Sequence, residues 1–317
     1  MKKLLQYFFL ALLVSCSQQK NNNVAVVGFL DLLEDETLSQ ARKGFFVALK
    51  DSGFSDNQKN LQMIYRNEHG DQPTLLQACD YIISQNPDLI ATNPTLPTIT
   101  AVQKTKTIPV FMMVSPRPDL ARLTDKSGNA PANLFGVYET LDYIDTSVML
   151  IHSVLPSVKK IGTIFNQSEP QSVMALKKIE SRCKELGIEM VSQPVNNSSE
   201  TQLVVESILN KNVDAFFALP DNVVFASFEV IAKSCGDKNI PIFTSEEGLV
   251  KRGAVAAFGA DMYQWGYQAG QQAAQFLKSK SANDLKPEIV KVRRRVYNAQ
   301  QAKKYQIIFG ADFVPVK

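Results

Sequence analysis

From residue 24 onward, short runs of apolar, β-branched and aromatic residues alternate with longer stretches whose apolar positions recur every three or four residues. The short runs predict strands at 24–30, 61–66, 88–92, 109–114 and 134–138, then at 160–165, 189–193, 214–219, 241–244 and 254–258. The helical spacing predicts helices over 39–52, 73–85 and 97–104 in the first half, and over 171–186, 200–210 and 223–234 in the second. A further helix is expected over 263–278, a strand over 287–297, and a last helix over 299–304 with Asn298 as its N-cap. Strands alternating with helices of this length specify right-handed βαβ units and parallel sheets.

The two halves echo each other. Asp88-Leu-Ile-Ala-Thr-Asn-Pro94 and Asp214-Ala-Phe-Phe-Ala-Leu-Pro220 both run from aspartate to proline before a helix, 126 positions apart. Each then reaches an Ile-Pro strand start, at Ile108-Pro109 and Ile240-Pro241. The expected fold class is therefore α/β, with two Rossmann-like lobes of parallel sheet. A single doubly wound domain is the structural alternative. The late elements after Gly259 finish both lobes, which makes the chain cross between them several times and form a multi-strand hinge. The expected division is 24–137 plus 260–285 for one lobe and 138–259 plus 286–317 for the other.

The segment before residue 24 changes the picture of where the chain works. Lys2-Lys3 precedes an apolar run from Leu4 to Val14, too short to span a bilayer comfortably but of secretory-signal length. It ends Leu13-Val14-Ser15-Cys16, which resembles the lipobox of bacterial lipoproteins. That resemblance implies a signal peptide at 1–15, lipidation of Cys16, a polar tether over 16–23 and export to a membrane surface. Without Lys2 and Lys3, 32 basic residues face 31 acidic ones, a balance that offers no electrostatic case for nucleic-acid binding. The basic run Lys291, Arg293, Arg294, Arg295 reads as a solvated face or a set of salt-bridge partners. Cys79, Cys183 and Cys235 form no disulfide framework and read as small buried hydrophobes, with a Cys183–Cys235 bridge as the alternative. His69 and His152 lack zinc-ligand spacing, and no metal or cofactor is expected.

Catalytic motifs are absent: Gly28 stands alone where a dinucleotide loop would need three glycines, and there is no Walker loop, nucleophile elbow or His-Glu-x-x-His. Polar residues gather instead at the ends of the predicted strands, where parallel sheets collect ligands. They are Asn93 and Thr95, Ser115, the Glu169, Gln171 and Ser172 group, Asp221 and Asn222, Ser245 and Glu246, and Asp261. Hydroxyl and amide groups at helix starts suit a ligand carboxylate, and Glu169, Asp221, Glu246 and Asp261 suit an ammonium. Phe29, Phe165 and Tyr263 are candidates to pack an apolar ligand body. Each of these residues also has an ordinary role as cap or core. Glu34–Glu36 reads as a solvated charged turn. If Asp221 holds the ligand, Asp221→Ala abolishes the response and leaves the unliganded melting temperature nearly unchanged.

Taken in order, the stretches Asp88-Leu-Ile-Ala-Thr, Ile108-Pro-Val, Leu155 to Phe165 leading into Ser168-Glu169-Pro-Gln-Ser172-Val, Asp214-Ala with Pro220-Asp221-Asn222, and Val250-Lys-Arg-Gly-Ala with Tyr263 and Gly266 resemble the TrpX-like substrate-binding lipoproteins of ABC transporters. The resemblance covers nearly the whole chain after the signal. It implies the type I periplasmic-binding-protein fold, no catalysis, and a monomer that captures an aromatic or other apolar amino acid. Partners would be an ABC permease with its cytoplasmic ATPase, and the membrane through the lipid anchor. A purine-nucleoside receptor and a sensory subunit of a signalling system are the alternatives. The chain departs from the family at Gln171, where Asn is usual, at Ser115-Pro116-Arg117-Pro118, and in the opening loop Leu32-Leu33-Glu34-Asp35. The implied mechanism is capture by closure, in which the ligand favours the closed form by roughly 5 kcal/mol.

Overall fold

The computed structural model describes residues 24–68 and 71–316. Cys16, the signal segment, the tether and His69 lie outside the described residues.

The first half folds as β1 (Ala25–Asp31), α1 (Glu36–Asp51), β2 (Leu61–Asn67), α2 (Gln72–Ser84), β3 (Leu89–Asn93), α3 (Thr95–Lys104), β4 (Val110–Pro116) and β5 (Leu134–Glu139). The second follows as α4 (Tyr143–Val154), β6 (Lys160–Phe165), α5 (Pro170–Glu185), β7 (Glu189–Pro194), α6 (Thr201–Leu209), β8 (Ala215–Ala218), α7 (Asn222–Ala226), α8 (Phe228–Asp237), β9 (Ile242–Thr244), α9 (Glu247–Lys251) and β10 (Ala256–Ala260). The chain closes with α10 (Met262–Ser279), β11 (Glu288–Ile289), β12 (Arg293–Tyr297), α11 (Ala299–Lys304) and β13 (Val314–Pro315).

One sheet has the order β11-β5-β4-β3-β1-β2 and the other β13-β12-β10-β9-β8-β6-β7. Pairing is parallel throughout except for β10 with β12. Every residue of β1 is buried, as a central parallel strand covered on both faces requires. Helix α10 returns to the first sheet and lies against α1. A Cβ on Gly266 would stand 1.8 Å from the Ala41 carbonyl oxygen, so glycine is what lets the two helices approach.

Three connections pass between the sheets: β5 to α4, β10 to α10, and β11 to β12. The predicted strand over 287–297 is thus two strands in different sheets, and β11 pairs with β5 beyond the expected lobe boundary at 285. The predicted helix over 223–234 is also two, because Ser227 leaves helical geometry at φ −117°, ψ 15°. Helix α1 starts at Glu36 rather than 39, since Asp35 accepts from the backbone N–H groups of Thr37 and Leu38 at 2.9 and 3.0 Å. No element is predicted over α4, although Ile144, Val148 and Ile151 recur at helical spacing and are fully buried. Cys79, Cys183 and Cys235 are free and buried, so the alternative Cys183–Cys235 bridge is not formed. Among the described residues, no helix is long and apolar enough to cross a membrane.

Candidate functional site

The carboxyl ends of β3, β4 and β5 meet the segments that follow β6, β8, β9 and β10 around a small cavity. Thr95, Ser115 and Glu139 reach it from the first sheet's side, and Gln171, Asn222 and Glu246 from the second. The walls between them are apolar and aromatic: Leu141, Tyr143, Phe225, Met262 and Trp265. A bulge in β4 contributes: the register with β5 shifts between Met112 and Ser115, with Val114 at φ 50°, and Val114 and Ser115 both line the cavity.

Four polar atoms of the cavity residues, Thr95 Oγ1, Gln171 Oε1, Asn222 Nδ2 and Glu246 Oε2, are buried without a hydrogen-bond partner. An unpaired buried polar atom costs about 1–3 kcal/mol, so four around one cavity mark a place shaped for a polar guest.

A scaffold beneath them sets which atom faces the cavity. Glu169 Oε2 accepts from Gln171 Nε2 at 2.5 Å and from the Asn222 backbone N–H at 3.0 Å. Because the Gln171 NH₂ is held there, its oxygen is the free end. Burial, and then the nearby Asp221, push the Glu169 carboxyl well above the usual carboxylate range. On the other flank, Glu246 Oε1 accepts from Ser245 Oγ at 3.0 Å while Oε2 stays free. Full burial, reinforced by the Glu139 charge, raises Glu246 to about 8 against the opposing Ser245 hydrogen bond. Burial likewise drives the Tyr143 hydroxyl well above its ordinary value. Glu139 is gripped by Arg293 through two bonds of 3.0 and 2.9 Å, which ties β5 to β12 across two hinge connections. Trp265 Nε1 donates to the Val137 carbonyl at 2.8 Å, fixing the indole plane.

The model for the family described as ABC transporter substrate binding protein matches residues 23–313. The chain belongs to this family. Among its relatives, the "Tyrosine-binding protein" of Clostridioides difficile (strain R20291) is 31% identical over 87% of this chain and 82% of its own. A solved ABC domain from Streptococcus pneumonia in complex with L-Trp superposes with a TM-score of 0.83 at 23% identity, over 91% of this chain and 96% of that one. The ligand-free, open structure of a substrate binding protein with adhesive properties from Clostridium difficile gives 0.68 at 25% identity, over 93% and 99%. The fold is that of type I periplasmic binding proteins. As an ABC-type substrate-binding protein, the chain is an exported receptor for a small ligand and not an enzyme.

In this substrate-binding protein, five of the eleven residues expected from sequence line the cavity: Thr95, Ser115, Gln171, Asn222 and Glu246. The others stand behind or beside it. Both Asp221 oxygens are consumed, by the backbone N–H groups of Asn166, Val223 and Val224 and by Ser172 Oγ, so Asp221 is a buried cap and Ser172 its partner. Glu169 and Ser245 hold their neighbours rather than face the cavity. Asn93 donates to Asp31 Oδ1 at 3.1 Å and to the Leu38 carbonyl at 3.3 Å, below Thr95. Asp261 caps α10 and pairs with Arg294 in a separate pocket at the rim.

The expected apolar platform is also elsewhere. Phe29 is fully buried core against Phe45 and Phe46, Phe165 packs on the second lobe's core, and Tyr263 stacks on Tyr267 at the rim. The aromatic walls come from Tyr143, Phe225 and Trp265, none of which is among the residues expected from sequence. Trp265 had a signal, being the chain's one tryptophan in the first turn of a helix after a strand end. The basic run behaves as salt-bridge partners: Arg293 with Glu139, Arg294 with Asp261, and Arg295 with Asp312 at 3.0 Å. The acidic opening turn is solvated at Glu34 and Glu36, with Glu34 also paired to Arg42 at 2.8 Å, and departs from the expectation at Asp35, which is buried.

Proposed function

We propose that the protein captures a free aromatic amino acid between its lobes and presents the closed form to an ABC permease. The observation that carries this reading is the set of four unpaired polar atoms in a cavity walled by Tyr143, Phe225 and Trp265. Gln171 Oε1 and Glu246 Oε2 are acceptors for an ammonium. Asn222 Nδ2 and the Thr95 hydroxyl are donors for a carboxylate. The aromatic walls take the ring. At ~1.5–3 kcal/mol for each hydrogen bond to a charged group, three or four supply the roughly 5 kcal/mol that closure needs.

Two similarities support the reading. The 31% identical relative is named for tyrosine, and the lobes superpose better on the L-Trp complex than on the open, ligand-free neighbour, 0.83 against 0.68. The experiment is a thermal-shift and calorimetric screen of tyrosine, tryptophan and phenylalanine against tyramine, 3-(4-hydroxyphenyl)propionate, nucleosides and sugars. Only ligands with both head groups and a ring should stabilise, by ~2.7 kcal/mol at a hundred times the dissociation constant. A nucleoside or sugar that outperforms every amino acid overturns the reading. Anchoring through a lipid on Cys16 belongs to the same proposal, and Cys16→Ser should move the mature protein from the membrane fraction to the soluble one.

A further inference from the structure

Outside the cavity, the two lobes touch through a buried ion pair. Asp35 lies in the loop that follows β1 and caps α1, while Arg252 follows α9 in the other lobe. Arg252 Nη1 donates to Asp35 Oδ2 at 2.6 Å and lies 3.4 Å from Thr37 Oγ1. The two side chains are 10% and 3% exposed. Each is held from its own side. Asp35 Oδ1 is taken by the N–H groups of Thr37 and Leu38. Arg252 Nε and Nη2 donate to Glu229 at 2.8 and 2.9 Å, and Nη2 also donates to the Phe225 carbonyl at 2.8 Å. Beside this pair a Cβ on Gly248 would stand 2.4 Å from the Thr37 side chain, so α9 sits on the start of α1 with no room for a methyl group.

We propose that Arg252 and Asp35 form an inter-lobe latch, seated on the Gly248–Thr37 contact, that sets how long the closed form holds its ligand. The proposal rests on the closing-cleft reading above, but Asp35, Thr37, Gly248 and Arg252 do not line the cavity. Both partners are positioned before they meet, so little side-chain entropy is lost on contact. On opening, Asp35 keeps its two backbone donors and Arg252 keeps Glu229 and the Phe225 carbonyl, so neither charge is stranded. A contact that is strong when made and harmless when broken suits a reversible closure. Phe225 is a cavity wall and its carbonyl holds Arg252, which links latch and ligand space through one residue.

The test uses Asp35→Asn and Gly248→Ala. Asparagine caps a helix as well as aspartate does, and alanine suits α9 better than glycine, so both variants should fold. Trp265 is the chain's one tryptophan and lines the cavity, so stopped-flow fluorescence excited at a wavelength tyrosine does not absorb reads closure on L-tyrosine. In each variant, dissociation should speed up about tenfold while association stays within about twofold, with unliganded melting close to wild type. Unchanged dissociation in both variants overturns the latch. If wild type gives no signal with L-tyrosine, the ligand reading falls on its own and the latch is read by small-angle scattering without ligand. A larger radius of gyration for Asp35→Asn than for wild type then supports it, and identical curves overturn it.

Discussion

Replacing Asp221 by alanine separates a cap from a ligand group, because the two roles predict opposite results. Its Oδ1 accepts from the N–H groups of Val223 and Val224 at 2.8 and 3.2 Å, and its Oδ2 accepts from the Asn166 N–H at 2.6 Å and Ser172 Oγ at 2.5 Å. Truncation leaves three buried donors, the Val223 and Val224 N–H groups and the Ser172 hydroxyl, without an acceptor, while the Asn166 N–H keeps a longer bond of 3.3 Å to Ser172 Oγ. Each costs about 1–3 kcal/mol, and the lower end applies because the vacated space admits water and because burial already disfavours the charged carboxylate. The expected loss is therefore about 3 kcal/mol. At ~2–4 °C per kcal/mol for a chain unit of this size, unliganded melting should drop by about 6–12 °C. Asp221→Asn should lie about midway, since its amide oxygen keeps the cap on α7 while its NH₂ confronts the Asn166 N–H. Differential scanning fluorimetry without ligand, with urea midpoints as a second measure, reads the effect. A melting point within about 2 °C of wild type, combined with loss of ligand response, would refute the cap and restore the ammonium-acceptor role expected from sequence.

The adjacent residue should behave in the opposite way: Asn222→Ala removes a side-chain donor that has no partner in the protein, so calorimetry should show affinity falling by about tenfold or more with unliganded melting nearly unchanged. Glu246 gives a pH signature. Its folded value near 8 exceeds the ordinary 4.5, so its neutral form contributes stability that is complete below about 4.5 and lost as pH rises through 8. An incoming ammonium ionises it, so near pH 6.5 binding should release about one proton, read by calorimetry in buffers of different ionisation enthalpy, and Glu246→Gln should abolish the release. Gly266→Ala would press a methyl group onto the Ala41 carbonyl oxygen at 1.8 Å, and should lower the urea midpoint by the equivalent of about 3 kcal/mol or prevent folding. A midpoint equal to wild type would show that α1 and α10 can separate freely.

The architecture was legible in the sequence because it follows from local periodicity. The buried runs of β1, β3 and β8 and the spacing of α5 and α10 are each set by neighbours in the chain, and the Asp88 and Asp214 echo carries the twofold plan. Strand ends were equally legible as places where polar residues gather. What those residues do was not, because a cap and a ligand group use the same side chains for the same reason: each satisfies N–H or O–H groups at a helix start. Asp221 and Asn222 are adjacent and both polar, yet one is saturated by Asn166 and Ser172 and the other points an unpaired amide into the cavity.

That choice depends on where β6 and its following loop come to rest against β8, a distance of some fifty residues along the chain. The same holds for the walls and the rim. Glu139 meets Arg293, and Arg252 meets Asp35, only after the chain has crossed between its sheets. Sequence by itself settled that there are two parallel lobes with a cleft between their strand ends. Tertiary packing alone decided which polar atoms are left over in that cleft, since only the assembled neighbours determine which hydrogen bonds the protein has already made for itself.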